Sequence, residues 1–130
     1  MFLLDTNIII AYFKGNHVVK EKIISNIEEI AVSTLVIAEL NYGAKASQHP
    51  EKNIEKLSRF IDVIRTIPFN LSCAIKFGDI KSKLRAIGKP AGELDTLIAA
   101  TAITHKAILV TNNIKHFENI EGLKIENWLE

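Results

Sequence analysis

The chain has 130 residues, 48% hydrophobic and 24% charged, with a net charge of +1. Those values fit one globular domain over residues 1–130 with a single core. They exclude a broad, strongly basic nucleic-acid surface and leave room for a local basic patch.

Met1-Phe2-Leu3-Leu4 is short, apolar and stopped by Asp5-Thr6-Asn7, the pattern of a buried strand. Thr6 or Asn7 can cap a helix over Ile8–Phe13, which Gly15 and Asn16 end. Val19, Ile23, Ile24 and Ile27 recur at helical spacing and predict an amphipathic helix over about 17–28. Ile30–Val32 reads as a second strand. Ser33 or Thr34 then caps a helix running to about Ala46, and His49-Pro50 breaks it. Further helices are predicted over about 51–64, 71–87 (Ile75, Ile80, Leu84 and Ile87 inward) and 93–105. Thr66–Pro68 is a candidate edge strand, Ala107–Val110 a strand ending at Thr111-Asn112-Asn113, and Leu123–Ile125 a final strand after a short helical turn.

Short apolar strands alternating with helices predict an α/β domain with a central, mostly parallel sheet. Such sheets bind ligands outside the carboxyl ends of their strands, where both Asp5 and the 111–113 segment are expected. Cys73 is the only cysteine, so no internal disulfide can form, which fits a reducing compartment. No apolar run reaches the roughly 18 residues of a membrane span. The N-terminus lacks the basic segment of a signal peptide. No membrane association and a cytoplasmic location are expected.

Three carboxylates interrupt this pattern. Asp5 closes the first strand, Glu39 breaks the run Leu35-Val36-Ile37-Ala38-Glu39-Leu40, and Asp95 opens Leu97-Ile98-Ala99-Ala100. Burying one unpaired carboxylate costs several kcal/mol, and the same runs contain no lysine or arginine. A shared hard cation, Mg²⁺ or Mn²⁺, would keep three converging acids ionised and supply a Lewis acid for phosphoryl or hydrolytic chemistry. Each acid also has a plainer reading: an Asx turn or cap for Asp5, a solvent-facing helix side for Glu39, and a first-turn acid favoured by the helix dipole for Asp95. The four histidines, His17, His49, His105 and His116, lack metal-ligand spacing and read as surface or helix-end residues. Of them His116 is nearest the site. Lys76, Lys81, Lys83 and Arg85 precede the Gly88–Gly92 loop and Lys89 lies in it; most read as a solvated face, and Lys89, whose loop abuts Asp95, is the candidate phosphate contact.

The blocks Leu3-Leu4-Asp5-Thr6-Asn7, Ser33–Gly43, Glu93–Ala102 and Leu109–Asn113, closing with Gly122–Trp128, resemble PIN-domain ribonucleases, in particular VapC-type toxins of toxin–antitoxin pairs. The resemblance spans nearly the whole chain in order. It implies a three-layer α/β/α fold with four to five strands and metal-dependent cleavage of RNA. It makes Asp5, Glu39 and Asp95 the catalytic and metal-binding acids, with Thr6 and Thr111 supporting them. Many relatives have a fourth acid where this chain has Asn113, which can ligate but adds no charge; Glu93 and Glu118 are candidate substitutes. The resemblance also implies a homodimer and a VapB-like antitoxin, and an apolar partner groove is expected between the helices at 17–28 and 34–64. Two other readings compete: a PIN-like module that binds RNA or protein without cutting, and an RNA-processing nuclease outside any toxin system. A phosphoacceptor domain would need a lysine at the end of a later strand, where Val110-Thr111-Asn112 has none.

Overall fold

The computed structural model describes residues 1–129. Five strands form one parallel sheet in the order β3-β2-β1-β4-β5: β1 (Phe2–Leu4), β2 (Ile30–Ser33), β3 (Arg65–Ile67), β4 (Ile108–Val110) and β5 (Lys124–Glu126). Six helices flank it: α1 (Thr6–Phe13), α2 (His17–Ser25), α3 (Thr34–Lys45), α4 (Pro50–Val63), α5 (Leu71–Ala86) and α6 (Glu93–Thr104). The expected three-layer α/β/α architecture is the one observed. No helix among the described residues is long and apolar enough to cross a membrane.

The central strands are the ones whose sequences are apolar on both faces, as a sheet covered by helices requires. Leu3, Leu4, Leu109 and Val110 are fully buried, and β1 pairs β4 with Leu3 opposite Leu109. β3 and β5 lie at the edges, as the polar faces of Arg65-Thr66 and Lys124 suggest. The chain order reverses between β1, which pairs β2 on one side, and β4 on the other. That switch point opens a crevice at the carboxyl edge, the usual ligand position of this architecture.

Several boundaries shift. Asp5, rather than Thr6 or Asn7, caps α1, its carboxylate accepting from the Thr6 N–H at 2.8 Å. Ser33 caps α3 by accepting from Val36 N–H. The helix expected over 17–28 ends at Ser25 and is followed by a 3₁₀ turn, Ile27–Glu29. Val19 and Ile23 are buried, whereas Ile24 and Ile27 are exposed. A step of one residue turns the side chain by about 100°, so a helix that buries Ile23 shows Ile24 to solvent. The same geometry corrects α5. Cys73, Ile80 and Leu84 face the core, while Ile75, two residues from Cys73, and Ile87 at the C-cap are exposed.

The C-terminal block packs onto this frame through Trp128. Its ring is buried and meets Phe2 with centroids 5.3 Å apart, and its indole N–H donates to Glu126 at 3.1 Å. That anchors the segment after β5 beside the crevice.

Candidate active site

The crevice is built from the end of β1 outward. Asp5 leaves the sheet where its backbone N–H donates to Val110 O at 2.9 Å. Its carboxylate is buried but not unpartnered. Oδ1 accepts from Thr6 N–H, while Oδ2 accepts from the Thr111 hydroxyl at 2.8 Å and the Asn7 amide at 3.2 Å. Thr111 is placed by the end of β4, its own N–H donating to Glu126 O at 2.9 Å. Asn7 ties the two strand ends together. Its amide also donates toward Thr111 Oγ1 at 3.3 Å, and its carbonyl accepts from the Asn112 N–H at 2.9 Å. Asn127 then holds the Asn112 side chain at 3.1 Å. Burial pushes the Asp5 carboxyl above the ordinary carboxylate range, although the Thr111, Thr6 and Asn7 hydrogen bonds pull it down; the nearby Asp95 charge adds to the rise.

Glu39 and Asp95 come from α3 and α6. Glu39 is exposed, which corrects the expectation that it interrupts a buried face. On α3, Val36, Leu40 and Ala44 form the buried stripe, and Glu39 lies on the other side with Tyr42, three residues on and 75% exposed. It still faces the site, because the Thr6 hydroxyl donates to Glu39 Oε1. Asp95 is half-buried in the first turn of α6, with its side chain 27% exposed. Partial burial raises its pKa first, and the Glu39 charge raises it further, against the lowering influence of His116. The carboxylates therefore act on one another in a chain: Asp95 on Asp5, and Glu39 on Asp95.

Among the described residues, no three Asp, Glu, His or Cys side chains stand close enough to form a ready-made metal cage. The donor set nevertheless fits a hard divalent cation in type and charge. It is all oxygen, and mutual repulsion among its carboxylates is what a cation would relieve.

The supporting residues divide. Thr6 and Thr111 touch the acids directly. Asn113 enters through its backbone N–H, which donates to Thr111 Oγ1 at 3.1 Å, and its side chain is exposed. Glu93 is paired with Lys81 at 2.9 Å on the surface, which draws it away from the role of fourth acid. Glu118 is exposed, with nothing tying it to the site. Lys89 lines a cleft with Asp95.

Sequence reasoning undervalued two residues. Asn7 reads as a cap, yet it bridges both strand ends. His116 reads as a generic loop residue, yet its Nδ1 stands 3.2 Å from Asp95 Oδ2. The signal for both was position: each follows a strand that ends at the switch point. An apolar groove also occurs elsewhere than between the helices at 17–28 and 34–64. It runs between α1, α3 and α4, lined by Ile10, Phe13, Glu39, Leu40, Lys56 and Leu57, with no α2 residue in its wall.

Residues 2–123 match the PIN domain family. The chain is a PIN-domain protein of the VapC ribonuclease family. It is 37% identical over 129 residues to a protein named Ribonuclease VapC2 from Haemophilus influenzae, covering 98% of each chain. It is 36% identical over 128 residues to the tRNA(fMet)-specific endonuclease VapC of Shigella flexneri, covering 98% of this chain and 97% of the relative. Its structure superposes with a TM-score of 0.93 on a chain of DNA-bound VapBC from Salmonella typhimurium, at 34% identity and 98% and 97% coverage.

Proposed function

We propose that this chain is a single-domain, Mg²⁺- or Mn²⁺-dependent endoribonuclease, the toxin of a pair with a VapB-like antitoxin. What supports the reading is that Asp5, Glu39 and Asp95, from three separate elements, lie within electrostatic reach of one another in a chain, Asp95 acting on Asp5 and Glu39 on Asp95. The chain's likeness to proteins named ribonuclease and endonuclease supports RNA as the substrate.

The residues divide the work. Asp5 is fixed by Thr6, Asn7 and Thr111, so it offers a carboxylate of set orientation. Glu39, exposed on α3, and Asp95, half-buried in the first turn of α6, lack such a set of donors and are freer to adjust. A divalent cation held by these acids would supply Lewis acidity at a phosphate and a nucleophilic water. The acids' part is to hold that charge in place and to exclude a free cation's other geometries. Phosphodiester hydrolysis of this kind needs no histidine as base.

The antitoxin part of the reading draws on the groove between α1, α3 and α4. Apolar side chains line most of it and Glu39 is in its wall, so a basic side chain inserted there would meet one of the three acids. Solved relatives are VapBC complexes. A homodimer belongs to the same reading.

Cleavage decides it. Purified protein is incubated with structured and single-stranded RNA, with Mg²⁺ or Mn²⁺ and then with chelator, beside Asp5→Asn. Cutting that needs the metal and is lost in Asp5→Asn supports the nuclease. RNA that binds but stays intact over a broad panel favours the non-cutting module, with Asn113 as the reason.

A further inference from the structure

The acidic centre repels its own substrate. Three carboxylates face a polyanion, and the whole chain carries one net positive charge. Any attraction must come from cations placed locally. The basic run before α6 mostly does not provide it. Lys81 is paired with Glu93 at 2.9 Å, Lys83 lies 3.9 Å from Glu121, and Lys76 lines a separate cavity with Asp79 and Gly122.

One cleft differs. It has a volume of about 340 Å³ and is lined by Lys89, Gly92, Asp95, Lys115 and His116 among others. One wall is the loop leading into α6; the other is the 3₁₀ turn Ile114–His116 that follows β4. Both walls are thus delivered by the strand and helix that build the acidic centre. The first wall follows Asp95 closely, since a Cβ on Gly92 would lie 3.2 Å from Asp95 Oδ2. The second wall reaches Asp95 through His116 Nδ1 at 3.2 Å, which leaves the ring's Nε2 for another partner. Lys89 and Lys115 supply point charges on long, flexible stems, suited to phosphate and not to a particular base. The volume is at the small end of ligand sites, which begin at about 300 Å³. It suits one backbone unit of a single strand.

We propose that Lys89 and Lys115, with His116 closing the cleft, form a phosphate subsite beside Asp95 that seats the RNA backbone phosphate next to the one that is cut. The inference rests on the nuclease reading above. It assigns these residues to sequence-independent grip, so the choice of RNA must be made elsewhere.

Salt dependence tests it. Binding of a labelled single-stranded RNA is followed by fluorescence anisotropy in chelator across a range of salt, with the RNA checked intact on a gel. Each phosphate contact on a single strand contributes about 0.7 to the slope of log K against log salt. Lys89→Gln/Lys115→Gln should make the slope shallower by about 0.7, the loss of one phosphate contact, and His116→Ala should weaken binding at fixed salt by a smaller factor. Lys52→Gln/Arg59→Gln, on the basic cavity along α4, should leave the slope unchanged. If wild-type protein cuts RNA but the Lys89/Lys115 pair leaves the slope unaltered, the subsite is wrong and the nuclease reading stands. If the slope falls for Lys52/Arg59 instead, the RNA runs along α4 and the subsite is equally wrong. If wild type neither binds nor cuts RNA, the nuclease reading fails and the subsite goes with it.

Discussion

The two halves of the acidic centre are built differently. Asp5 is buried and fixed by three donors from Thr6, Asn7 and Thr111. Glu39 is exposed and Asp95 half-buried, and each makes one close contact, to the Thr6 hydroxyl and to His116. The first half is a product of the sheet, because it cannot form unless β1 and β4 are paired. The second is a product of helix placement and keeps its freedom to move. In the proposed site, a rigid carboxylate would set the position of a shared charge, and two adjustable ones would close around it.

Breaking the rigid half should have the largest effect. Asp5→Asn keeps the shape but removes the charge, and RNA cleavage should fall by at least about a hundredfold, read as kcat in a gel-based assay. Glu39→Gln and Asp95→Asn should also suppress cleavage while leaving the thermal melt nearly unchanged, because neither side chain is part of the core. Equal melting losses in all three variants would erase the distinction between the halves.

Thr111→Val tests the support beneath Asp5. It removes a buried hydroxyl that donates to Asp5 and accepts from Asn7 and from the Asn113 N–H. Loss of such a supporting group costs about 10- to 100-fold in metal affinity or activity. The unsatisfied partners should add about 1–3 kcal/mol of destabilisation, measurable by urea unfolding. An unchanged unfolding midpoint would show that the network is ornamental.

Titration sharpens the comparison further. The Asp5 pKa is raised in the fold, chiefly by burial. A carboxyl whose folded pKa exceeds its unfolded value favours the fold while protonated, and loses that contribution as pH rises through the folded value. In chelator, wild type should therefore lose stability relative to Asp5→Asn as pH climbs upward from the ordinary carboxylate range. A difference that stays flat over that window would contradict the burial argument. The smallest effect is expected at Glu93→Gln. Its exposed pair with Lys81 is worth about 0–1 kcal/mol, and cleavage should not change.

Much of this was legible in the sequence. The alternation of short apolar strands and helices gave the layers, and Asp5 was marked by closing a strand of four apolar residues. The environment of Glu39 was not legible: its neighbours Val36 and Leu40 suggested burial, but only the angle of α3 on the sheet decides which flank of an apolar stripe faces the crevice. His116 was obscured for a related reason. It lies in a loop with no periodicity, and its approach to Asp95 joins residues 21 positions apart through the β4 switch point. Asn7 was hidden by its plainer role, since Asp-Thr-Asn after a strand reads as a cap whether or not it also bridges to Asn112.

The central claim is that three acids share one divalent cation. Isothermal titration with Mn²⁺ of wild type, Asp5→Asn and Asp95→Asn tests it without any RNA. Saturable binding by wild type that is lost or sharply weakened in both variants is the predicted result. Binding that persists undiminished in both would mean that Asp5 and Asp95 do not hold a common ion, and the account of the site would have to be abandoned.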